Sequence, residues 1–155
     1  MSNDSLLATN RKALRDYEIM ESVEAGIMLV GTEVKSIRAR RANLDDSFAR
    51  IDGAEVFLYN MHISPYEQGG RYNVEPTRPR KLLLHRRQID RLNGLFSQRS
   101  VALIPLRLYL KSGLVKIELA VGKGKKAYEK RDTIRQREIE RELHREIRTK
   151  QKRDS

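Results

Sequence analysis

A two-residue alternation of apolar and polar positions marks the segment between residues 106 and 121. In 106–111, leucines alternate with an arginine, a tyrosine and a lysine, and in 115–121 branched apolar residues alternate with polar or small ones. Ser112-Gly113 lies between the two runs. Because successive side chains of a strand point to opposite faces, the pattern predicts a β-hairpin with one face in a core and the other toward solvent or a ligand.

Shorter patterns nearer the N-terminus predict a strand followed by a helix. Residues 27–30 are an apolar strand candidate that ends before a glycine, and Thr32 is a candidate helix cap. Glu33 then lies in the first turn, where the helix dipole favours a carboxylate. Val34 and Ile37 are three residues apart, which indicates one narrow buried face.

The middle of the chain predicts a hairpin, a loop and a second helix. Runs 47–51 and 55–61 are separated by Asp-Gly-Ala, which is typical of a hairpin connection. Residues 64–80 hold three of the four prolines and a Gly-Gly pair, which predicts a long mobile loop. The apolar face of the second helix consists of Ile89, Leu92 and Phe96.

About six short strands with two or three helices predict a mainly β protein with a small antiparallel barrel. An OB-type barrel is the favoured topology, since its face and loops commonly bind nucleic acid. Changes of composition divide the chain into three segments. They are a flexible N-terminal arm (1–15), an OB-type RNA-binding barrel flanked by short helices (16–121) and a basic C-terminal tail (122–155).

Charge narrows the class of partner. The 155 residues include 32 Lys and Arg against 21 Asp and Glu, a net charge of +11 that attracts polyanions such as nucleic acid. A membrane is the weaker alternative, because no apolar run approaches the roughly 20 residues of a spanning helix. The first residues do not resemble a signal peptide, so we expect a soluble cytoplasmic protein, and a monomer. The absence of cysteine excludes disulfides and thiolate metal sites.

The tail differs in composition from the barrel. Residues 125–155 contain twelve Lys and Arg against seven acids, and Ile139, Leu143 and Ile147 form one apolar stripe at helical spacing. This stripe buries too little surface to offset the entropy of ordering about 30 residues. We therefore predict a tail that is disordered when free and helical when bound to a partner. The alternative is a solvated tail that serves solubility.

Gly122-Lys123-Gly124-Lys125-Lys126 invites comparison with a phosphate-binding loop. The Walker pattern needs four residues between its glycines and a Ser or Thr after its lysine, and neither is present. A hinge whose lysines contact phosphate and an ordinary basic linker are both compatible with the pattern.

Catalysis and metal binding have little support in the sequence. The three histidines lack an HExxH or similar metal spacing. Asp45 and Asp46 are adjacent, so on a strand their side chains point to opposite faces and do not form a carboxylate pair. We expect no enzymatic activity, no metal and no cofactor.

Two groups of residues are candidates for contact with RNA. Lys35, Arg38 and Arg41 follow a three-residue spacing on the first helix, and residues 78–91 are rich in arginine, so both groups could contact backbone phosphates. The alternative is a solvated charged face. Four tyrosines near basic residues are candidates for stacking on bases, although tyrosines in a barrel often fill its core or rim; they are Tyr66, Tyr72, Tyr109 and Tyr128.

Eight stretches, taken in order, resemble the SmpB family across nearly the whole chain. Among them are Asn10-Arg11-Lys12-Ala13, Asp16-Tyr17-Glu18-Ile19, Glu24-Ala25-Gly26-Ile27 and Glu33-Val34-Lys35-Ser36-Ile37-Arg38. The others are Asn43-Leu44-Asp45-Asp46-Ser47, His62-Ile63-Ser64-Pro65-Tyr66, Arg80-Lys81-Leu82-Leu83-Leu84-His85 and 122–131. The chain departs from the family at Arg40-Arg41, usually Gly-Lys, and at Glu129, usually aspartate.

The resemblance implies an OB-type barrel that binds the tRNA-like domain of transfer-messenger RNA (tmRNA) and delivers it to stalled bacterial ribosomes for trans-translation. It also implies that the tail enters the empty mRNA channel near the decoding centre of the small subunit. Elongation factor Tu and alanyl-tRNA synthetase would join indirectly, through the tmRNA.

The resemblance also implies roles for individual residues. Asn10, Glu24, Leu83 and Lys116 match its RNA-binding positions, and a carboxylate such as that of Glu24 would accept hydrogen bonds from base edges or sugar hydroxyls. Packing in the core is the alternative for Leu83. With the basic candidates, the predicted RNA-binding set is Asn10, Arg11, Lys12, Glu24, Lys35, Arg38, Leu83 and Lys116. The predicted ribosome-binding tail residues are Gly122, Lys123, Gly124, Lys125, Lys126, Tyr128, Lys130, Arg131, Ile139, Leu143 and Ile147.

Two other functions are compatible with parts of the pattern. A generic RNA-binding or ribosome-associated OB-fold protein explains the charge and the barrel but gives no reason for an essential tail. A phosphoryl-transfer enzyme would use the Gly-Lys segment, which the spacing of its glycines disfavours.

Overall fold

The computed structural model describes residues 5–96, 101–125, 138–139, 141–143 and 145. Within the first two ranges the strands are β1 (Ser5–Thr9), β2 (Tyr17–Ile27), β3 (Ala42–Asn43), β4 (Phe48–Asp52), β5 (Glu55–Tyr59), β6 (His62–Ile63), β7 (Arg80–Leu83), β8 (Val101–Lys111) and β9 (Leu114–Gly124). The helices are α1 (Arg11–Asp16), α2 (Gly31–Arg38), α3 (Arg86–Phe96) and a 3-10 helix (Glu67–Tyr72).

Seven of these strands form one antiparallel sheet that closes on itself. The order is β1-β8-β4-β5-β7-β2-β9, and a further pairing of β9 with β8 closes the ring. Strands β3 and β6 form a separate short ladder. The mainly β, OB-type barrel with short flanking helices is therefore confirmed.

The two predicted hairpins are both present. In the first, β4 pairs with β5 around a turn in which Gly53 has φ 61°, a left-handed conformation that glycine adopts without strain. In the second, β8 pairs with β9 around Ser112 and Gly113, whose φ angles are 52° and 80°. Positive φ at both central residues is the geometry of the tight turns that match strand twist.

The flexible N-terminal arm is a prediction that the structure corrects. Residues Ser5–Thr9 form β1, which pairs with the second half of β8, and α1 follows directly. Two strands therefore share one edge of β8. Strand β1 pairs with its second half, and β4 pairs near its start, where Leu103 lies opposite Ala49. This pairing joins residues about 100 positions apart, so no local pattern signals it. Within β1, Leu7 is buried in the core and Ala8 packs against it while partly exposed.

The barrel core consists of the inward-facing residues of the main strands. Fully buried examples are Val56, Leu58, Leu82, Leu108 and Ile117. Complete burial of each such side chain contributes roughly 1.5–3 kcal/mol. A smaller second cluster lies beneath α1 and comprises Ala13, Ile104, Leu106 and Ala120.

Strand β2 and helix α2 have other bounds than the strand and helix that the sequence predicts for residues 27–37. Strand β2 covers Tyr17–Ile27 and ends before residues 28–30. Val30, rather than Thr32, is the N-cap of α2. The Glu33 carboxylate accepts a 3.0 Å hydrogen bond from the backbone N–H of Val30. The carboxylate predicted to favour the helix dipole also satisfies a free backbone donor.

The chain divides into two compact units, Met1–Gly124 and Lys125–Ser155. The first is the barrel described above. In the second, the described residues 138–139, 141–143 and 145 are helical and exposed.

Candidate nucleic-acid interface

Neighbouring strands bring several predicted residues to one outer face of the barrel. Leu83 of β7 lies opposite Gly26 of β2, Gly26 lies opposite Lys116 of β9, and Lys116 lies opposite Tyr109 of β8. Directly paired residues project to the same side of a sheet. The row continues to Leu6 of β1, which pairs with Tyr109 and is half exposed. We call this surface, together with Glu24 and Lys111, the outer face.

Glu24 is held in place on the outer face by a hydrogen bond from another strand. Its carboxylate accepts a 2.6 Å hydrogen bond from the Tyr109 hydroxyl and a 3.2 Å bond from Lys111 Nζ. The hydrogen bond from Tyr109 is the main reason that the pKa of Glu24 is lowered, with a smaller contribution from Lys111. The carboxylate is therefore ionised at neutral pH and fixed in orientation as an exposed hydrogen-bond acceptor.

A second ion pair compensates the like charges of Glu24 and Glu118, which lie directly opposite each other on β2 and β9. Such a pairing is destabilising unless each charge is compensated. Arg107 Nη1 lies 2.5 Å from Glu118 Oε1, while Lys111 approaches Glu24. Each acid thus pairs with a cation from β8. The outer face therefore carries acidic and basic groups side by side and is not uniformly basic.

Gly26 gives Leu83 its exposed position. A Cβ at residue 26 would lie 3.2 Å from Leu83 Cβ and 3.4 Å from its Cδ1, so the glycine leaves the space in which the leucine side chain lies. Leu83 is 49% exposed, whereas Leu82 fills the core. Core packing is therefore not the role of Leu83, and its methyl groups are available for contact.

Asn10, which the resemblance assigns to RNA binding, is buried inside the protein. It is buried as the N-cap of α1, where its Oδ1 accepts a 3.1 Å hydrogen bond from the N–H of Ala13. Its Nδ2 donates to the carbonyls of Leu44 and Pro105. Both amide protons are used inside the protein, so the geometry favours a positioning role over direct contact with RNA. The adjacent Arg11 and Lys12 are exposed, as binding requires.

The predicted ridge on α2 is not continuous. Lys35 and Arg38 are exposed, but the helix ends at Arg38 and Arg41 lies beyond it. Arg38 donates a 3.2 Å hydrogen bond to the carbonyl of Gly113, in the β8–β9 turn. Lys35 Nζ lies 5.3 Å from the centre of the Tyr66 ring.

Two arginines of the 78–91 region stabilise the fold instead of forming a phosphate-binding surface. Arg80 is fully buried and donates from Nε to Glu33 at 2.6 Å and from Nη1 to the Met61 carbonyl at 2.6 Å. Arg78 donates to both oxygens of the same carboxylate. Burial would raise the pKa of Glu33, but the hydrogen bonds from Arg78, Val30 and Arg80 outweigh it and the pKa is lowered.

The predicted hinge glycines belong to the barrel. Strand β9 continues through Gly122, Lys123 and Gly124, and Gly122 pairs with both Ile19 and Ala102. A Cβ at residue 122 would lie 3.1 Å from Ile104 Cδ1 and 3.2 Å from Tyr17 Cβ. Close packing, not freedom of the backbone, explains that glycine.

The predicted tail residues are only partly within the described chain. Lys125 ends the second described range, and Ile139 and Leu143 are helical with exposed side chains. Those outside the described residues are Lys126, Tyr128, Lys130, Arg131 and Ile147.

Tyr109 and Lys111 complete the outer face. The sequence named Tyr109 only as a candidate for stacking on bases, and it did not single out Lys111. Both occupy polar positions of the alternating 106–111 run, two residues apart, and therefore share the outward side of β8. The alternation could therefore have predicted that both side chains point outward. It does not predict which strands lie beside β8, and so it does not predict the contact with Glu24.

The described residues contain no cluster of three or more His, Cys, Asp or Glu residues arranged to hold a metal ion. No described helix is long and apolar enough to cross a membrane.

Fold and surface together define the class as an OB-type barrel protein with a patterned polar and basic outer face. The family model described as SmpB protein matches residues 7–149. The chain therefore belongs to the SmpB family.

Relatives and a solved structure agree with this assignment. The SsrA-binding protein of Geobacillus sp. is 57% identical over 147 residues, which cover 95% of each chain. The SsrA-binding protein of Caldanaerobacter subterraneus is 58% identical over 146 residues, covering 94% of this chain and 92% of the relative. A chain from the structure described as "tmRNA-SmpB: a journey to the center of the bacterial ribosome" matches with a TM-score of 0.67 and 48% identity, over 77% of this chain and 85% of that one.

Proposed function

We propose that this protein binds the tRNA-like domain of tmRNA through the outer face of its barrel and delivers the RNA to stalled bacterial ribosomes for trans-translation. The observation that carries the proposal is the convergence of Glu24, Leu83 and Lys116, from three strands, on one surface. The names of the relatives and the solved tmRNA–SmpB complex support the same partner.

The chemistry of the outer face suits a folded RNA. The Glu24 carboxylate accepts hydrogen bonds from base amino groups or ribose hydroxyls and repels phosphates, so it favours contact with base and sugar edges. Leu83 supplies an apolar contact with an exposed base, and Lys116 with Lys111 supplies charge for nearby phosphates. This combination is more selective than a uniformly basic patch, which binds any polyanion.

The tail has a separate part in the proposal. We assign residues 125–155 to the empty mRNA channel of the small subunit near the decoding centre, where the apolar stripe and the flanking cations would bind as a helix. The difference in composition between tail and barrel supports this division. Elongation factor Tu and alanyl-tRNA synthetase join indirectly through the tmRNA, and the protein acts as a cytoplasmic monomer.

A competition gel shift tests the proposal. Labelled tmRNA is bound to the full-length protein and competed with unlabelled tmRNA or with total tRNA from the same bacterium. We expect tmRNA to compete at much lower concentration than total tRNA. Equal competition would instead support the generic RNA-binding OB-fold protein, which has the same charge and the same barrel.

A further inference from the structure

A concave surface is present between α2 and the 3-10 helix. A cavity of about 480 Å³ is formed by the first turns of α2 and by the 3-10 helix. Its wall includes Lys35, Tyr66, Gln68 and Tyr72, and none of Glu24, Leu83 or Lys116. The volume lies within the range of about 300–1,000 Å³ that is usual for sites of small ligands.

Two tyrosine rings and one lysine line this cavity, and an arginine lies beside one of the rings. Lys35 Nζ lies 5.3 Å from the centre of the Tyr66 ring. The Tyr72 side chain is 68% exposed, and the guanidinium carbon of Arg71 lies 5.1 Å from its ring centre. Exposed aromatic rings beside cations are the combination that binds nucleic-acid bases, because every base has a face that stacks and a phosphate nearby.

The loop that carries the two tyrosines is held together by Asn73. Its Oδ1 accepts a 2.9 Å hydrogen bond from the N–H of Tyr66, and its Nδ2 donates a 2.8 Å bond to the Tyr66 carbonyl. A third bond runs from Nδ2 to the carbonyl of Gly70. The backbone at Tyr66 is thus fixed from the opposite end of the 3-10 helix.

Gly69 allows the loop to pack closely on α2. A Cβ at that position would lie only 2.9 Å from Thr32 Cγ2 and 2.9 Å from Asn73 Oδ1. The cavity is therefore built by tight packing before any ligand arrives, and a preformed site avoids the cost of ordering a loop on binding.

We propose that this cavity binds a single unpaired nucleobase of RNA, at a site distinct from the outer face. The base stacks on a tyrosine ring, Lys35 contacts the adjoining phosphate, and the Gln68 amide, which has both donors and an acceptor, hydrogen-bonds the base edge. Bases within a duplex are already stacked and paired, so the site selects single-stranded segments. The net charge of +11 favours a nucleic acid over a peptide as the occupant.

Tryptophan fluorescence gives a direct test, because the chain contains no tryptophan. The full-length Tyr72→Trp variant places one fluorophore in the cavity and keeps an aromatic ring there. It is titrated with hexaadenylate RNA and, separately, with a blunt RNA duplex. We expect saturable quenching by the single strand and none by the duplex. Absence of quenching by hexaadenylate, or equal quenching by the duplex, would overturn the proposal.

Matched variants separate stacking in the cavity from general attraction to RNA. Added to Tyr72→Trp, Tyr66→Leu should weaken hexaadenylate binding roughly five- to a hundredfold, while Tyr66→Phe should leave it unchanged. The control Phe57→Trp places the fluorophore on the outward side of β5 and should show no saturable quenching. Quenching there to the same extent, or unchanged affinity in Tyr66→Leu, would contradict a specific site.

The fold of each variant is checked by its thermal unfolding midpoint. The outcome does not depend on the preference for tmRNA, since the probe is a short oligonucleotide. Loss of tmRNA preference with retained quenching would therefore refute the proposed function alone.

Discussion

The Tyr109 hydroxyl donates a 2.6 Å hydrogen bond to the carboxylate of Glu24 across an intervening strand. Glu24 lies on β2 and Tyr109 on β8, and β9 pairs with both. The bond thus spans three strands where the barrel closes. It gives an acidic side chain a fixed orientation on the surface of a basic protein, which supports the proposed role of this carboxylate in RNA recognition.

Replacing Glu24 with alanine should weaken tmRNA binding without unfolding the barrel. Loss of hydrogen bonds made by a charged group costs about 1.5–3 kcal/mol, which is roughly a ten- to hundredfold loss of affinity. A gel-shift titration measures the affinity and a thermal melt monitors the fold. Glu18→Ala, on the same strand and also exposed, is the control and should bind as the unmodified protein does. Identical affinities of the two variants would refute the role of Glu24.

Tyr109→Phe tests how much the hydrogen bond that positions the Glu24 carboxylate contributes to tmRNA binding. It removes the hydroxyl but keeps the ring, so it should weaken tmRNA binding less than Glu24→Ala does. In the Glu24→Ala background it should have little further effect, since the two residues act through one contact. Additive losses in the double mutant cycle, measured by gel shift, would show that the two side chains act independently.

The dependence of binding on salt should distinguish the cations of the outer face from its acid. Each phosphate contact that releases a counterion adds about 0.7–0.9 to the slope of log affinity against log salt concentration. Lys116→Ala should therefore reduce the slope by about 1, while Glu24→Ala should weaken binding with no fall in the slope. Filter binding between low and moderate salt measures both. A wild-type plot without slope would exclude an interface dominated by phosphates.

The sequence was sufficient for those elements that local patterns define. The alternation in 106–121 predicted the β8–β9 hairpin, and Asp-Gly-Ala predicted the turn between β4 and β5. Strand β1 was missed because its pairing with β8 joins distant segments and buries only Leu7 fully. Arg80 was misassigned because a buried guanidinium is indistinguishable from an exposed one until the carboxylate of Glu33 is placed beside it.

In the candidate site, too, local sequence identifies residues but not the contacts between distant segments. The resemblance supplied Glu24, Leu83 and Lys116, but their common face follows from the pairing of β7, β2 and β9, which are far apart in the chain. Asn10 was assigned to RNA although it is buried as a helix cap. A polar residue before a helix satisfies either role from sequence alone, and only burial decides between them.

Gly122→Ala should destabilise the barrel although the change adds one methyl group. The new Cβ would lie 3.1 Å from Ile104 and 3.2 Å from Tyr17, so strand or side chains must shift, at a cost of about 1–3 kcal/mol. Gly124→Ala is the control, since a Cβ there meets nothing within 4 Å. Urea unfolding at neutral pH compares the two. Equal stability would restore the hinge interpretation of Gly122.

The buried carboxylate of Glu33 predicts a dependence of stability on pH. Because its pKa is lowered in the folded state, its contribution is complete above the ordinary glutamate pKa and is lost as the pH falls through the lower folded value. Glu33→Gln leaves Arg80 buried without a counter-charge and should cost roughly 3–5 kcal/mol at pH 7. It should also flatten the loss of stability in acid.

Urea unfolding at pH 7 and at several acidic pH values measures both effects of Glu33→Gln. Glu67→Gln is the matched control, because that carboxylate is mostly exposed and lies 3.7 Å from Arg41. An exposed pair contributes at most about 1 kcal/mol. If the two variants had the same pH profile, the ion pairs of Glu33 with Arg78 and Arg80 would not be the source of the loss of stability in acid.

Removal of residues 129–155 should separate binding from rescue. The barrel unit ends at Gly124 and carries the outer face, so a protein truncated after Tyr128 should bind tmRNA with nearly unchanged affinity in a gel shift. Tagging of peptides on ribosomes that carry truncated mRNA should be abolished, because nothing would then occupy the empty channel. Normal tagging by the truncated protein would refute the proposed role of the tail, and loss of tmRNA binding would assign the tail to the RNA interface.

A single substitution tests whether the tail acts as a helix. Leu143 lies in the described helical residues with its side chain exposed, which leaves it available to a partner. Proline inside a helix removes a hydrogen bond and clashes with the preceding turn, at a cost of about 3 kcal/mol or more. Leu143→Pro should therefore reduce tagging strongly, whereas Leu143→Ala keeps the helix and should reduce it less. Equal tagging by the two variants would mean that the apolar contact, and not the helix, is what the ribosome requires.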